Sequence, residues 1–562
     1  VNFISHDPVD FLNGVGAARK TLGGEAAYAY NGADQAHRLS ATLAGNTDDS
    51  LQWLLTATAG RAHGVDNMGS NDAANVDRTR PNPQTDHNGS VLGKLVFKPG
   101  TGQKHVLTFE HMQKTSDVEL LSSRAKAPLV AASVVGESAR QEHQRDRMTW
   151  DARYALDHAW ADQLQTTLSF QAGTAQDNGH TRRYDGGVRL RDTAYDERAW
   201  QASAQFSKAL PISAQWSQKI TYGLDLASTN VSSWFDGFDP KPLPTYLPKK
   251  YFPDTRDSTA ALYAQSEISD ARWAITPGLR AEYFSLNVLS QDGFAPPSPT
   301  PGKSLSGSNV SPKLGALYRV TPQWSVFAHY ASGFRAPNAT QINGFTENPT
   351  LTTFVKLLSN PDLKPETSRN VELGVRARLE RLHLDAAVFS GNFKDLIVDK
   401  KPLGGAGVAG DPLLFQTVNV DRARIQGFEF KGTVDLGDLA GGAWSSSFAY
   451  GQAKGTDRST NLPLNAIDPA KLALGLKYSA ARWDVSVDAV HHAAKTESDL
   501  DSPYLAKPAT APRKKQFTVP AANTLDMQVQ YRVHRDLRVY LGVFNLNNRK
   551  YWLWSDVQSL DA

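Results

Sequence analysis

Two short motifs around one long polar segment contain the residues best suited to binding chemistry. The first, Phe334-Arg335-Ala336-Pro337, ends in a proline, which has no amide hydrogen to continue a strand ladder. Its arginine presents a planar fork of donors that suits a carboxylate ligand. A structural interpretation also fits, in which Phe334 belongs to an aromatic girdle and Arg335 pairs with an acid of a neighbouring loop. Both interpretations place the end of a regular element at this motif.

The second motif, Asn360-Pro361-Asp362-Leu363, is expected to return the chain to regular structure. Its proline restricts the backbone, and Asp362 is expected to make an Asx-type hydrogen bond. We therefore predict a ligand-binding loop between the two motifs. Its candidate residues are Phe334, Arg335, Pro337, Asn338, Gln341, Asn343, Asn360, Pro361, Asp362 and Leu363.

The rest of the sequence lacks the patterns of common enzyme active sites. There is no Gly-x-Ser-x-Gly elbow, no His-Glu-x-x-His and no phosphate-binding loop. Cysteine is absent, which removes disulfides and thiolate chemistry. A net charge of +3 over 562 residues gives no general attraction to nucleic acid. We predict a protein that is not an enzyme, does not bind nucleic acid and has no intrinsic cofactor.

The elements that must position the two motifs are indicated by an alternation of apolar and polar residues. Val371, Leu373, Val375, Ala377 and Leu379 alternate with Asn370, Glu372, Arg376 and Arg378, and similar segments recur along the chain. This period of two is typical of a strand with one apolar and one polar face. A soluble sandwich also alternates, but these strands of roughly ten to twelve residues are long enough to cross a bilayer. Short and long connections also alternate, which favours a transmembrane antiparallel β-barrel with long extracellular loops and short periplasmic turns.

The segments from Glu25 onward give about 21 strands, the last starting at Leu537. Single-chain bacterial barrels have an even number of strands, so we infer 22 in the intact barrel, with the closing strand missing from this chain. Barrels of this width carry a plug, which we expect upstream of Val1. Residues 1–21 are therefore predicted to form the plug-to-barrel junction, and residues 22–562 the barrel.

The sequence resembles the TonB-dependent outer-membrane receptors. The resemblance rests on GFRAP from Gly333 with NPDLKPETSRNVELGVR from Asn360, on RIQGFEFKG from Arg424 and on LGVFNLNNRKYW from Leu541. HDPVDFL from His6 resembles the junction between plug and barrel. The likeness extends over nearly the whole chain, and the spacing of the first two motifs resembles the branch that takes haem from haem proteins.

The resemblance implies a multi-pass protein of the bacterial outer membrane that takes up haem iron with energy coupling. Haem would be the transported ligand, taken from haemoglobin or another haem protein at the outer loops. The TonB complex would act through an N-terminal box, expected upstream of Val1. A ferric-siderophore receptor with the same fold, and a passive pore or adhesin, are the alternatives.

Many haem-uptake relatives carry an iron-binding histidine between the two motifs, whereas this sequence has no histidine between His329 and His383. Neutral imidazole and tyrosinate are both iron ligands, so the other predicted outer loops supply the candidates. These candidates are His63, His87, His143 and His180, with Tyr246 and Tyr251 as tyrosinate alternatives.

The segment 232–252 combines aromatic residues with prolines, a composition that predicts either a protein-binding surface or a self-packed loop cap. Its candidate partner contacts are Trp234, Phe235, Tyr246 and Tyr251. Basic clusters are expected to meet lipopolysaccharide phosphates in the outer-membrane lipid, or an acidic partner. These clusters are Lys249-Lys250, Lys400-Lys401 and Arg513-Lys514-Lys515. Trp552 and Trp554 are expected in the interfacial aromatic belt.

Overall fold

In the computed structural model, the alternating segments among the described residues form one sheet of 23 strands. The structure describes residues 5–12, 21–48, 50–239, 247–294, 298–349, 354–408, 410–502 and 515–558. The first strands are β1 Leu22–Asn31, β2 Ala36–Asn46, β3 Leu51–His63, β4 Gln84–Phe97, β5 Gln103–Glu119, β6 Val134–Ala155, β7 Gln163–Arg183, β8 Val188–Pro211, β9 Ser217–Phe238, β10 Asp254–Ser269, β11 Trp273–Ser290 and β12 Leu305–Arg319. They are followed by β13 Trp324–Arg335, β14 Thr346–Pro349, β15 Phe354–Leu358, β16 Glu366–Arg378, β17 Leu382–Gly404, β18 Leu413–Leu439, β19 Gly442–Asp457, β20 Lys471–Ser479, β21 Trp483–His492, β22 Ala522–His534 and β23 Leu537–Val543.

Helices are few and short. They are α1 Val9–Leu12, α2 Ala339–Asn343 and α3 Trp554–Val557, with 3₁₀ turns at Leu121–Ser123 and Glu497–Asp499. Within the described ranges, no helix has the length and apolar character needed to cross a membrane.

The pairing of the strands confirms the predicted antiparallel barrel. Each strand from β1 to β13 pairs antiparallel with the next. Strand β13 then pairs with β16, and the same order continues to β23. Strands β14 and β15 form a hairpin inside the connection between β13 and β16, so 21 of the 23 strands belong to the wall, as predicted. Strand β15 also pairs in parallel with β18.

Short and long connections alternate, as expected. On the turn rim the connections are brief, as at 47–50, 270–272 and 480–482. On the loop rim they are mostly long, as at 64–83 and 336–365. The alternation of short and long connections predicts a long loop near 174–194, but this segment consists of two strand ends joined by a turn at 184–187.

Several strands are much longer than the predicted ten to twelve residues. Strands β6, β8 and β18 contain 22, 24 and 27 residues. A bilayer needs only about 9–11 residues of tilted strand, so the excess extends beyond the membrane at the loop rim. There both faces are polar, the alternation disappears, and the segments resemble loops in composition although the ladder continues.

The outward face of the wall carries an exposed apolar band. Across strands β5 to β8, four large apolar residues lie directly opposite one another in the register. They are Phe109, Met148, Phe170 and Trp200. Phe109, Met148 and Trp200 are 49%, 52% and 55% exposed. Rows of large exposed apolar side chains at matching register are typical of a lipid-facing surface.

An aromatic girdle lies at the turn rim. Its ring pairs are Trp273–Tyr318, Trp444–Tyr478 and Trp483–Tyr531, with centroids 4.5, 5.1 and 4.3 Å apart. Amphipathic rings favour the boundary between lipid and water, so the girdle marks the edge of the membrane on this side.

The opposite face of the wall lines the lumen, where segment 5–12 contacts it. Lys94 is 6% exposed, and its Nζ lies 3.0 Å from Oδ1 of Asp7. Lys104 Nζ lies 2.7 Å from the other oxygen of Asp7. Leu12 packs against Ala44 and the neighbouring wall. These contacts suit the predicted junction, although residues 1–4 and 13–20 lie outside the described part of the chain.

The prediction for Trp554 is wrong. This side chain is 3% exposed and packs with Leu500 and Val519 of the loop rim. Its Nε1 donates to the carbonyl of Asn465 at 2.7 Å, and the ammonium of Lys495 lies 5.1 Å from the ring centroid. The segment after β23 thus folds onto the loops, a contact that no local pattern in the sequence indicates.

Candidate ligand-binding site

The predicted ligand-binding loop begins with a capped helical turn. Pro337 ends the ladder of β13, and Asn338 begins α2 by accepting the amide of Gln341 at 2.9 Å. The Gln341 side chain accepts the amide of Asn338 in return, at 3.2 Å. This reciprocal capping satisfies donors that the start of a helix leaves free.

Arg335 closes the base of the loop. It lies directly opposite Glu366 in the register of β13 and β16, and its Nη2 donates to Glu366 Oε2 at 2.8 Å. The same carboxylate oxygen accepts the amide of Ile397 at 3.0 Å. The ring of Phe334 lies tilted against that of Phe284, with centroids 5.4 Å apart. Arg335 thus pairs with an acid, but that acid begins the adjacent strand β16 and does not lie in a neighbouring loop. The contacts leave 44% of the Arg335 side chain exposed.

Asn343 joins the loop to the neighbouring connection 291–304. The side chain is 1% exposed; its Oδ1 accepts the Lys303 amide at 2.8 Å and its Nδ2 donates to the Lys303 carbonyl at 3.0 Å. The ammonium of Lys303 lies 3.2 Å from Oδ1 of Asp362, which is 87% exposed. Two connections are therefore held together by one buried amide and one exposed ion pair.

The return motif is organised by Asn360. Its side-chain oxygen accepts the amide of Asp362 at 3.2 Å, so the Asx-type bond expected from Asp362 is made by Asn360 instead. Its own amide donates to the carbonyl of Ile342, and its Nδ2 to the carbonyl of Thr417, both at 2.8 Å. The asparagine side chain both accepts and donates, so it joins the turn to β18, while the backbone amide of the same residue joins it to α2. Pro361 lies within this turn.

An apolar cluster, here called the loop roof, lies beneath these polar contacts. It joins residues of two connections, the one before β10 and the one between β13 and β16, to residues of strands β11 and β17, and each is at most 7% exposed. Its members are Phe252, Leu286, Ala339, Ile342, Leu363 and Ile397. Full burial of one such large side chain contributes about 1.5–3 kcal/mol. The loop between the two motifs is therefore a packed part of the structure.

Tyr251 packs at the edge of the loop roof. Its carbonyl accepts the amide of Phe345 at 2.9 Å. Burial, and then the negative charge of Asp399, raise the pKa of the Tyr251 phenol. Asp399 in turn accepts a hydrogen bond from Nε2 of Gln341 at 3.2 Å. The phenol is therefore held in its neutral form.

The candidate partner contacts do not share one surface. Trp234 and Phe235 are adjacent in β9, so their side chains point to opposite faces, and Trp234 is 44% exposed. Phe235 forms a bridge with Lys249, whose ammonium lies 5.1 Å from the ring centroid. Burial lowers the pKa of Lys249. Tyr246 lies outside the described residues.

The four candidate histidines lie in strands, so their placement in loops was wrong. They are His63 at the end of β3, His87 in β4, His143 in β6 and His180 in β7. The cause is the extension of these strands beyond the membrane, where polar residues occupy both faces. In the described part of the chain, no group of three or more His, Asp or Glu is placed to hold a metal ion.

The register also separates these histidines by face. His87 shares its parity in β4 with the exposed Val91, and His63 lies in the same outward set, opposite Thr85. His180 lies opposite Ser138, which is on the same outward side of β6 as Met148, so His180 also faces outward. His143 alone has the other parity and faces the lumen.

Sequence reasoning missed two acids that organise the site. Glu366 could have been found, because pairing β13 with β16 places it opposite Arg335. Asp399 accepts from Gln341 across 58 residues of sequence, and no local signal connects them.

A wide transmembrane barrel with a packed roof of loops at one rim is the architecture of an outer-membrane receptor. A family model described as TonB dependent receptor-like, beta-barrel, matches residues 132–546. The chain belongs to this family of TonB-dependent receptors, which makes it a multi-pass protein of the bacterial outer membrane. Its turn rim is periplasmic and its loop rim is extracellular.

Two curated relatives illustrate the similarity. The hemoglobin and hemoglobin-haptoglobin-binding protein of Haemophilus ducreyi is 28% identical over 259 residues, which cover 42% of this chain and 26% of the relative. The hemoglobin-haptoglobin utilization protein B of Neisseria meningitidis serogroup A is 23% identical over 538 residues, which cover 87% of this chain and 64% of the relative. The chain thus spans less than two thirds of either relative.

Solved structures share the fold at low identity. The Serratia marcescens hemophore receptor HasR, solved with its hemophore HasA and heme, has a TM-score of 0.69 at 17% identity, covering 98% of this chain and 80% of that one. The siderophore receptor PirA from Acinetobacter baumannii has a TM-score of 0.66 at 16% identity, covering 93% and 75%. At such identities these likenesses describe the fold alone.

Proposed function

We propose that this protein takes up haem iron across the outer membrane, from haemoglobin or another haem protein at its extracellular loops, with energy supplied through the TonB complex. The observation that carries the proposal is the alignment over 87% of the chain with a relative named for hemoglobin-haptoglobin utilization. The loop roof supports it, because a rigid set of packed loops offers a protein partner a surface that loses little entropy on binding.

The lumen wall near His143 has the groups that haem would need. His143 lies directly opposite Lys114, and Arg145 follows on the same face. Imidazole is an iron ligand, and a guanidinium or ammonium group suits a propionate carboxylate. The wall at β5 and β6 therefore offers haem a path along the lumen.

The test is growth of a deletion strain under iron restriction with haemoglobin as the sole iron source. Loss of growth, restored by the gene in trans, is expected, and undiminished growth of the deletion strain contradicts the proposal. The same strain on ferric siderophores tests the second candidate, a siderophore receptor, which the shared fold with the siderophore receptor PirA favours. Growth that persists without TonB would favour a passive pore.

A further inference from the structure

A basic row lies on the lipid side of the barrel wall. His37 opposes Arg61, and Arg61 opposes His87, so the three side chains share one face of β2, β3 and β4. All three are exposed. His87 has the parity of Val91 and Leu95, which are 39% and 47% exposed on the apolar band. The row therefore faces the membrane and lies just beyond its apolar part.

Small residues create a recess beside this row. The neighbouring pair on the same face is Ala59 opposite Gly89. A Cβ atom placed on Gly89 would have its nearest neighbouring atom 3.8 Å away, so the space there is open. The recess has a volume of about 680 Å³. His111 and Gln113 line one side, while apolar Leu39 belongs to the same lining. A polar group of moderate size with attached apolar chains matches this arrangement.

The outward lining of this recess combines one guanidinium with three imidazoles. Among the described residues that line it there is no Asp or Glu, while Arg61, His37, His87 and His111 face outward. Arg38 alternates with His37 in β2, so its side chain faces the lumen. His111 is already engaged, because its Nδ1 lies 2.8 Å from Oδ1 of Asp146. A larger concavity of about 990 Å³, nearer the extracellular rim, mixes arginines with acids. There Arg140 Nη1 lies 3.1 Å from Asp117 Oδ1, so part of that positive charge is already neutralised. The smaller recess is the better site for an anion.

Two of the three basic clusters expected from the sequence to meet lipopolysaccharide have lysines engaged within the protein, whereas Lys400 and Lys401 are exposed. Lys249 lies over Phe235, and Lys250 Nζ is 2.6 Å from Oδ2 of Asp254. Lys515 Nζ is 2.6 Å from Glu497 Oε1, while residues 513–514 lie outside the described part of the chain.

We propose that the recess beside His37, Arg61 and His87 binds the phosphorylated headgroup of an outer-leaflet lipid, the lipid A part of lipopolysaccharide. The planar guanidinium of Arg61 matches a phosphate, and the imidazole N–H groups add donors. The apolar band below accepts the acyl chains. Cationic pockets at the headgroup level are where anionic lipids bind membrane proteins. The inference does not depend on which iron compound is transported.

Native mass spectrometry of the protein purified from outer membranes in detergent, titrated with diphosphoryl lipid A, tests this site. Arg61→Gln with His87→Gln removes a guanidinium and an imidazole, and is expected to weaken binding by about tenfold or more. Arg256→Gln is the matched control, because Arg256 faces outward from β10 and bonds Asn230 Oδ1 at 2.9 Å, far from the recess. Its effect is expected to stay within about twofold. All variants must show the same heat-modifiable band as the parent.

Two further ligands distinguish binding of a lipid headgroup from binding of free phosphate. Monophosphoryl lipid A is expected to bind more weakly than the diphosphoryl form, and inorganic phosphate at equal concentration is expected not to displace either. Equal binding by the double variant and the parent overturns the proposal. Displacement by inorganic phosphate also overturns it, since the recess would then be a site for free anions.

Discussion

Arg335 and Glu366 face each other where the 336–365 connection leaves and re-enters the barrel, with Nη2 and Oε2 2.8 Å apart. Glu366 is the better buried partner, with 15% of its side chain exposed, and it also accepts the amide of Ile397. The pair therefore ties the two ends of the connection to β17 as well as to each other.

Substitutions of this pair should have unequal effects. Arg335→Ala removes an arginine that is nearly half exposed, so the free energy of local unfolding is expected to fall by less than about 1 kcal/mol. Glu366→Ala also leaves the Ile397 amide without its partner, so the loss of unfolding free energy is larger by about 1–3 kcal/mol. Hydrogen exchange across residues 336–365 measures both, and the double variant gives their coupling. If Arg335→Ala abolished haemoglobin binding with exchange unchanged, Arg335 would be a ligand contact.

Asn343 should be essential for the rigidity of the extracellular loops. Asn343→Ala removes both hydrogen bonds to the backbone of Lys303 and empties the buried place of the Asn343 side chain, at a cost of about 1–3 kcal/mol in unfolding free energy. Faster limited proteolysis within 291–304 and 336–365 is expected. Asp362→Ala is the control, because that side chain is 87% exposed and should change stability by less than about 0.5 kcal/mol. Equal proteolysis of both variants would contradict a role for the buried amide.

Tyr251 should not bind haem iron as tyrosinate. Burial and the nearby charge of Asp399 raise its pKa, so the phenol stays neutral throughout the pH range in which the protein is handled. Tyr251→Phe is expected to leave the absorption spectrum with haemin unchanged between about pH 6 and 9. Loss of a tyrosinate charge-transfer band in this variant would show that the phenolate is a ligand.

The contact of segment 5–12 with the lumen should depend on pH through Asp7. Burial alone would raise the pKa of Asp7, but the hydrogen bonds and charges of Lys104 and Lys94 outweigh burial and lower it. A lowered carboxyl pKa means that the contact is fully stabilised above the ordinary aspartate pKa of about 3.9 and is lost as pH falls through the folded value. Protease protection of segment 5–12 should therefore hold at neutral pH and decline in acid. In the Asp7→Asn variant, segment 5–12 should be unprotected from protease already at neutral pH. Full protection in that variant would contradict this account.

The wall could be predicted from the sequence because its signal is local. Where one face meets lipid, as at Phe109 and Met148, apolar and polar residues alternate and each strand can be recognised alone. Beyond the membrane that contrast disappears: Thr174, Asn178 and His180 face outward from β7 and are all polar. The ends of β7 and β8 were for that reason interpreted as a loop.

The loop roof was only partly predictable for a related reason. The capping of α2 by Asn338 and Gln341 follows from residues three apart. The contacts of Asn343 with Lys303 and of Asn360 with Thr417 join residues 40 and 57 apart in sequence. Nothing near either asparagine indicates its partner, so both were assigned to ligand binding by their polarity.

His143 should be the candidate histidine that affects haem in the lumen. His143→Ala is expected to shift the Soret band of the haemin complex and to weaken haemin binding, because of the four candidate histidines this one faces the lumen, opposite Lys114. His87→Ala and His180→Ala are matched controls, since both side chains belong to the outward set and should leave the spectrum unchanged. A Soret shift in His87→Ala with none in His143→Ala would mean that haem binds the outer surface of the wall. Lys114→Gln supplies an independent measurement: it keeps the imidazole but removes the cation, so it should weaken haemin binding without shifting the band.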